Sequence, residues 1–580
     1  MKNKKVVRSL LVLSTFILSS CVNPSPISFS SSIKEDTSVT STDTSISEES
    51  TSETYEKDED GFYILEDDYF SYKEDTSDTR KRNKVFISDA VKEKEQLKWA
   101  RMYIGDKSVP IYNVKTNYSH SWNPDAPNRM NNGVTSIGLE GKVEIKVQLN
   151  FNTLRHLKIS PISKGINYDY DINRRVVTFT ITSTGQYTIE FTNDRVIHLF
   201  VNEMASYTNP FNDAIVFKKG VHNKNNDSRI NSNNQIYLSS GQKVYIEADA
   251  FIEAKFISNN TSNIQIVGPG YIDGSVFERS ATTNKVLVPI EFNYCSNITL
   301  KDFGVIDPAG WCFNMYFNNG LTIDNCKVIS SRSNGDGISI QSCQNVNVSN
   351  SFIRSWDDSL VVKNYPRWDN RSIEGTTRNI TFDNCILWTD LAQSMEVGFE
   401  CVGEIMDTIT FQNITIIHNF HKPVFSIHNG NNANIKNVTF KNITVEDAAM
   451  GHGDGTTTLV ELTVLYSSTW SDQHKVTGLG SVDTVELNNI KVIDGIIKPK
   501  INISGCIDPR SGYSKDPHYV KNVTFKDFKL YENVLTSTYT NLEENYAQNV
   551  SFSTSGKEIT GHVFNTKDIS EYGNNIDFLN

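Results

Sequence analysis

The sequence predicts an all-β chain, an N-terminal β-sandwich followed by a parallel β-helix, and three observations carry that reading. Short runs of period-two alternation fill residues 84–205. A unit of Asn or Asp, an aliphatic residue, any residue, then an aliphatic residue or Phe recurs along the remainder. No helical period separates these units. The 580 residues are 38% apolar and 11% aromatic, enough to bury cores of this kind, and a mean hydropathy of -0.39 argues against a polytopic membrane protein. The 56 Lys and Arg are outnumbered by 68 Asp and Glu and interspersed with them, so no basic field exists to attract nucleic acid.

Taken in chain order, residues 1–21 read as an export signal. Lys2, Lys4, Lys5 and Arg8 precede the apolar run Leu10 to Leu18, which is too short to span a bilayer comfortably. Leu18-Ser19-Ser20-Cys21 closes it and resembles a bacterial lipobox, whose Cys thiol is lipidated and becomes the first mature residue. Cys21 is therefore the expected anchor, with the protein outside the cytoplasm on a membrane surface. Residues 22–83 read as a flexible linker of Ser, Thr and acids; Lys34 to Asp60 holds ten acidic residues against Lys34 and Lys57. Residues 84–205 read as an antiparallel sandwich, on the runs Gly141 to Leu149, Val176 to Ile181 and Gly185 to Phe191.

Residues 206–580 read as the parallel β-helix. The repeat appears as Asn263-Ile264-Gln265-Ile266, Asn297-Ile298-Thr299-Leu300, Asn345-Val346-Asn347-Val348, Asn379-Ile380-Thr381-Phe382, Asn437-Val438-Thr439-Phe440 and Asn522-Val523-Thr524-Phe525. Asn at a repeating bend tolerates left-handed backbone and can stack its amide on the next coil. Cys295 with Cys343, and Cys326 with Cys385, occupy equivalent repeat positions and read as stacked core thiols; no metal-ligand spacing is present, so no zinc and no cofactor are expected.

The chemistry concentrates in one window. Asn334-Gly335-Asp336-Gly337-Ile338-Ser339-Ile340 aligns with Trp356-Asp357-Asp358-Ser359-Leu360-Val361-Val362-Lys363 on a shift of 22 residues, one coil, between Asp336 and Asp358. Equivalent positions of successive coils lie about 4.8 Å apart. Asp336 is thus expected beside Asp358, with Asp357 displaced to one side. Adjacent carboxylates repel, so at least one proton affinity rises, and the site holds an acid beside a base. Glycosidic hydrolysis requires that pair, one carboxyl protonating the leaving oxygen and another activating water.

These strand-spaced motifs, with Gly268-Pro269-Gly270-Tyr271-Ile272-Asp273-Gly274 upstream, resemble the right-handed β-helix glycosidases of the polygalacturonase family (glycoside hydrolase family 28). They also resemble the related dextranases and isopullulanases of family 49. The similarity runs from about Val216 to Asp447. It implies a right-handed, pectin-lyase-like solenoid that hydrolyses an α-linked polysaccharide with inversion. By motif, Asp357 corresponds to the general acid, and Asp336 and Asp358 to the pair holding the nucleophilic water. The chain departs from the polygalacturonase pattern where it concerns substrate. The Gly-His-Gly that follows the Asp pair there falls here only at Gly451 to Gly453, the Arg-Ile-Lys is absent, and the corresponding stretch reads Gln393-Ser394-Met395-Glu396-Val397-Gly398. Galacturonan and a neutral glucan both stay open.

Trp311, Trp356, Trp368 and Trp388 fall in these coils, where an indole face can stack on a sugar; Trp356 is the leading subsite candidate and Trp388 reads rather as core. Lys363, Arg367 and Arg371 follow the Asp pair and are available to bind hydroxyls or a carboxylate. With Asn334, Glu396 and His428, the expected substrate-binding set is Asn334, Trp356, Lys363, Trp311, Glu396 and His428. Two other classes compete. A β-helix polysaccharide lyase needs a carboxylate cage with an unpaired base, and a non-catalytic carbohydrate-binding solenoid gives no reason for three aligned Asp. The expected partners are a polysaccharide and, through the anchor, a membrane; a monomer is expected.

Overall fold

The computed structural model describes residues 55–117, 129–152, 157–192, 194–279, 288–365, 375–449, 457–469, 471–472, 478–536, 540–556 and 569–579. The residues expected to form an export signal, Cys21 and the Lys34 to Thr54 part of the acidic stretch lie outside these residues, as do Arg367, Trp368 and Arg371.

The helix is built from coils of three short strands. One coil runs through Asn319–Asp324, Lys327–Ile329 and Ile338–Gln341, and the next through Gln344–Ser349, Phe352–Ser355 and Leu360–Asn364. These strands pair in parallel with their counterparts one coil on, as in Leu321↔Val346, Val328↔Ile353 and Ile338↔Leu360. Alternate residues point inward and stack, giving interior columns such as Phe313, Ile338, Leu360, Met395 and Phe425. Phe382, Phe411 and Phe440 form another, with rings 4.8 and 5.1 Å apart and nearly parallel. The thiols of Cys295, Cys326, Cys343 and Cys385 are buried in this core.

The bends explain the recurring asparagine. Asn263, Asn297, Asn345, Asn379, Asn437 and Asn522 all adopt φ between 53° and 59°, the left-handed region that Asn tolerates better than other non-glycine residues. Their amides form a ladder along the solenoid: Asn297 Nδ2 donates to Asn263 Oδ1 at 2.5 Å, Asn345 to Asn319 at 2.8 Å and Asn379 to Asn345 at 3.0 Å. At the next bend Asn384 donates to Asn350, Asn413 to Asp383, Asn442 to Asn413 and Asn489 to Asn442.

Ahead of the coils two sheets close over one apolar core shared by Met102, Ile145, Val147 and Phe179 from one sheet and Ile137, Ile189, Ile197 and Leu199 from the other. The alternating runs form the strands Val143–Leu149, Val176–Ile181 and Gly185–Thr192. Pairing is not wholly antiparallel. Met130–Glu140 and Arg195–Asn202 run parallel, because the chain between them crosses to the opposite sheet before returning.

Two expected boundaries also move. Residues 55–83 were expected to be linker, yet their aromatic side chains pack on the two sheets. Phe62 is buried under Arg101, which bonds Asp58 and Asp60 at 2.6 and 2.9 Å, and Phe70 stacks on Tyr103 at 3.9 Å. At the other end the chain leaves the coils, and Tyr572–Leu579 pairs in parallel with Lys81–Phe86. The buried Asn83 amide fixes that return by donating to the carbonyls of Gly573 and Asn575.

The sheets cover the outer face of the second strands in the coils from Phe251 to Ile417, where Phe251, Tyr271, Ile306, Phe352, Ile386 and Trp388 cluster with Tyr112, Val134 and Phe200. Charged groups are buried in the same seam. Arg354 pairs with Asp390, both fully buried, and His418 bridges Glu190 and Asp447 at 2.9 and 2.7 Å. Glu446 accepts from Ser160 Oγ and the Ile162 N–H and pairs with Lys158. With the second face covered, the third strands and the turns before them carry the site.

Candidate active site

Asp336 and the pair Asp357-Asp358 lie in the turns that lead into Ile338–Gln341 and Leu360–Asn364. Those strands pair Ile338↔Leu360 and Gln341↔Lys363, the one-coil shift of 22 that the alignment implies. Backbone bonds carry the register into the turns, since the Gly337 N–H donates to the Asp358 carbonyl at 2.7 Å. Gly337 is required there, because a Cβ would sit 2.4 Å from the Ser359 carbonyl oxygen. Asn334 turns the chain with φ of 54°. Asp336 and Asp358 are 2% and 8% exposed, whereas Asp357 is more open. Asp358 is held by the Gln393 N–H at 3.2 Å, and the Ser355 hydroxyl donates to the Asp357 carbonyl at 2.7 Å.

Lys363 Nζ stands among the acids, 3.3 Å from Glu400, 3.7 Å from Asp336 and 4.0 Å from Asp358, and 4.9 Å from the centre of the Trp311 ring. Burial pushes Asp336 well above the usual carboxylate range, the Asp357 charge adds to that, and Lys363 opposes it. Asp358 is raised likewise by burial and by Asp357, and Glu396 contributes. Asp357 is raised by burial but held back by Lys363 and by the N–H groups of Asp358 and Asn334. The three carboxyls titrate as a set, whose protons belong to the cluster rather than to one member.

One coil further, Glu396 is fully buried and accepts from His428 Nδ1 at 2.9 Å, while His428 Nε2 meets Glu461 Oε2 at 3.1 Å. Phe399 stacks on the imidazole with centroids 4.3 Å apart. Burial disfavours the imidazolium, but Glu396 and Glu461 outweigh it and push His428 up to about 10. The structure therefore brings Asp336, Asp357, Asp358, Lys363 and Trp311 together, with Asn334 in the same turn and Glu396 and His428 alongside. Trp356 does not join them as a stacking platform: it is fully buried, because the turn that presents Asp357 directs the preceding side chain inward. Trp388 packs in the seam, its Nε1 donating to Asp390 and its face under Arg354.

Three neighbours escaped the sequence reading. Arg279 bonds the Ser333 carbonyl and the Asn334 side chain, and its guanidinium faces Asp357 and Asp336. It is contributed by a loop some 55 residues before the motif, with no local signal. Glu400 lies at an irregularity in pairing, where Asn364 meets Cys401, so simple strand alternation does not place it. Glu461 was legible in principle, since Glu396, Ser426 and Glu461 share one register column.

Residues 215–389 match the family model of the glycosyl hydrolases family 28. The family 28 stretch contains Asp336, Asp357 and Asp358; Glu396, His428 and Glu461 lie beyond it. A polygalacturonase of Malus domestica is 25% identical over 141 residues, 22% of this chain and 29% of its own length. The chain thus spans under a third of that relative. Among solved structures, Dex49A from Penicillium minioluteum superposes with a TM-score of 0.47 at 12% identity, covering 85% of this chain and 94% of its own. A family 28 exopolygalacturonase of Yersinia enterocolitica gives 0.36 at 11% identity, covering 73% and 98%.

Proposed function

We propose that the protein is a glycoside hydrolase that cleaves an α-linked polysaccharide with inversion at the anomeric carbon. The observation that carries this reading is the convergence of Asp336, Asp357 and Asp358 on one edge of the solenoid, inside the family 28 stretch. In the reaction Asp357, the most open of the three, gives its proton to the leaving oxygen. Asp336 and Asp358 hold the water and take its proton as the oxygen attacks from the opposite face of the sugar. Lys363 keeps the buried acids from all becoming protonated, which leaves a base available. Trp311, against Lys363, lies within reach of a bound sugar. The export signal and Cys21 support an enzyme tethered outside the cytoplasm by lipid.

The test is reducing-end release by the full chain from polygalacturonate, dextran and pullulan, with Asp357→Asn as control. The reading expects release from at least one polymer and its loss in the variant. A product with a carbon–carbon double bond would instead indicate lyase chemistry, and binding without release a non-catalytic solenoid.

A further inference from the structure

The hydrolase reading leaves the charge of the sugar open, and the floor beside the carboxylates bears on it. Outward side chains of the third strands form two rows. One row passes through Glu291, Asn314, Ser339 and Val361 to Glu396, and the other through Asn293, Tyr316 and Gln341 to Lys363.

The cations along this floor are already matched. Lys255 pairs with Glu291, Lys363 is shared by Asp336, Asp358 and Glu400, and His428 lies between Glu396 and Glu461. Arg279 spends donors on the Ser333 carbonyl and Asn334 and is set against Asp357 and Asp336. Each of these four cations is thus countered by at least one carboxylate of the protein, and among the described residues the acids of the floor outnumber them.

Two neutral acceptors of the same rows, the amide oxygens of Gln341 and Asn293, show the opposite condition and lack a donor, while the Ser339 hydroxyl beside them can donate as well as accept. Gln341 gives its amide N–H to Asn314, and Asn293 gives its own to Asn259 and Glu291 at 2.8 and 3.0 Å. The carbonyl oxygens Gln341 Oε1 and Asn293 Oδ1, and the Ser339 hydroxyl, are buried with no hydrogen-bond partner. A buried acceptor without a donor is costly, and such groups persist where a ligand or water completes them. A sugar hydroxyl brings the missing proton. An ionised uronate has none to give at its carboxylate and meets an acidic floor.

Resting on the hydrolase reading, we propose that the glycan seated beside Asp336 and Asp358 is uncharged, its hydroxyls completing Gln341 Oε1, Asn293 Oδ1 and Ser339 Oγ. The protein then discriminates against uronate polymers by charge, since among the described residues each cation of the floor is already countered by a carboxylate.

The experiment measures reducing-end release by the full chain from polygalacturonate, from the same polymer after chemical reduction of its carboxyl groups, and from dextran and pullulan. Ser339→Ala and Arg279→Gln are run in parallel. At least one neutral polymer is expected to be cleaved at least about tenfold faster than polygalacturonate. Any residual action on polygalacturonate is expected to rise between about 0.05 M and about 0.5 M NaCl, as repulsion is screened. Ser339→Ala is expected to raise KM for the neutral polymer about fivefold without lowering Tm, since the hydroxyl removed had no partner in the empty site. Faster cleavage of polygalacturonate than of its reduced form, lost in Arg279→Gln, overturns the inference and leaves the hydrolase reading standing. An unchanged KM in Ser339→Ala removes the orphaned groups from recognition. Silence of the wild type on every polymer overturns the hydrolase reading and this inference together.

Discussion

The seam between the two sheets and the coils contains a titrating lock at His418. Its Nε2 meets Glu190 from the sheets at 2.9 Å and its Nδ1 meets Asp447 from the coils at 2.7 Å, while Phe420 stacks on the ring at 4.9 Å and Trp388 meets it at a tilt at 4.3 Å. Burial works against the charged ring, yet the two carboxylates prevail and His418 is pushed up from 6.5 to about 9. At about 1.4 kcal/mol for each tenfold change in proton affinity, that rise corresponds to about 3 kcal/mol of folding free energy. The sign follows from the folded form binding the proton more tightly. The contribution is complete below pH 6.5 and disappears as pH climbs through about 9. Urea unfolding followed by tryptophan fluorescence, on wild type and His418→Gln at pH 6.5 and about 9.5, measures it. Over that interval the wild type should lose about 3 kcal/mol more than the variant, a difference that removes the contribution of His428 and other groups common to both. Equal pH dependence in the two proteins would refute the reasoning.

Other outcomes follow from the same structure. Asn345 adopts φ of 55° and bonds both Asn319 and Asn379, so Asn345→Ala should cost about 2–3 kcal/mol and Asn345→Gly, which keeps the backbone freedom, about 1–2 kcal/mol less, measured as denaturant midpoints. Arg354→Met strips the guanidinium that pairs with the fully buried Asp390 and should destabilise by about 3–5 kcal/mol on the same assay. Lys363→Met removes the cation that opposes protonation of Asp336 and Asp358, so the acid-side limb of the kcat/KM profile should move to higher pH. A profile that stays in place would show that Lys363 does not govern the protonation of the base.

Much of this was legible in the sequence because parallel coils impose a simple rule. Residues one coil apart stack, so the 22-residue shift already put Asp336 beside Asp358, and the recurring asparagines already marked the bends. The neighbours supplied by long-range folding were not legible. Arg279 arrives from a loop some 55 residues upstream, and Glu400 sits where the pairing slips out of register. Trp356 was misplaced for a different reason: adjacency to a site residue says nothing about direction in a turn, where alternation no longer holds. The aromatic residues between Tyr55 and Phe70 were hidden in a stretch whose acids and hydroxyls suggested linker, and their role depends on partners such as Tyr103 and Arg101. Closure of the sheet by Tyr572–Leu579 joins residues almost 500 positions apart, beyond the reach of any local pattern.

The central claim, that Asp357 protonates the leaving oxygen while Asp336 and Asp358 direct water to the opposite face, fixes the configuration of the product. Proton NMR of the anomeric signals during the first moments of cleavage reads it before mutarotation. The account predicts that the β-anomer appears first from an α-linked polymer, at a rate reduced about 10²–10⁴-fold in Asp357→Asn. First appearance of the α-anomer, or an undiminished rate in the variant, would contradict it.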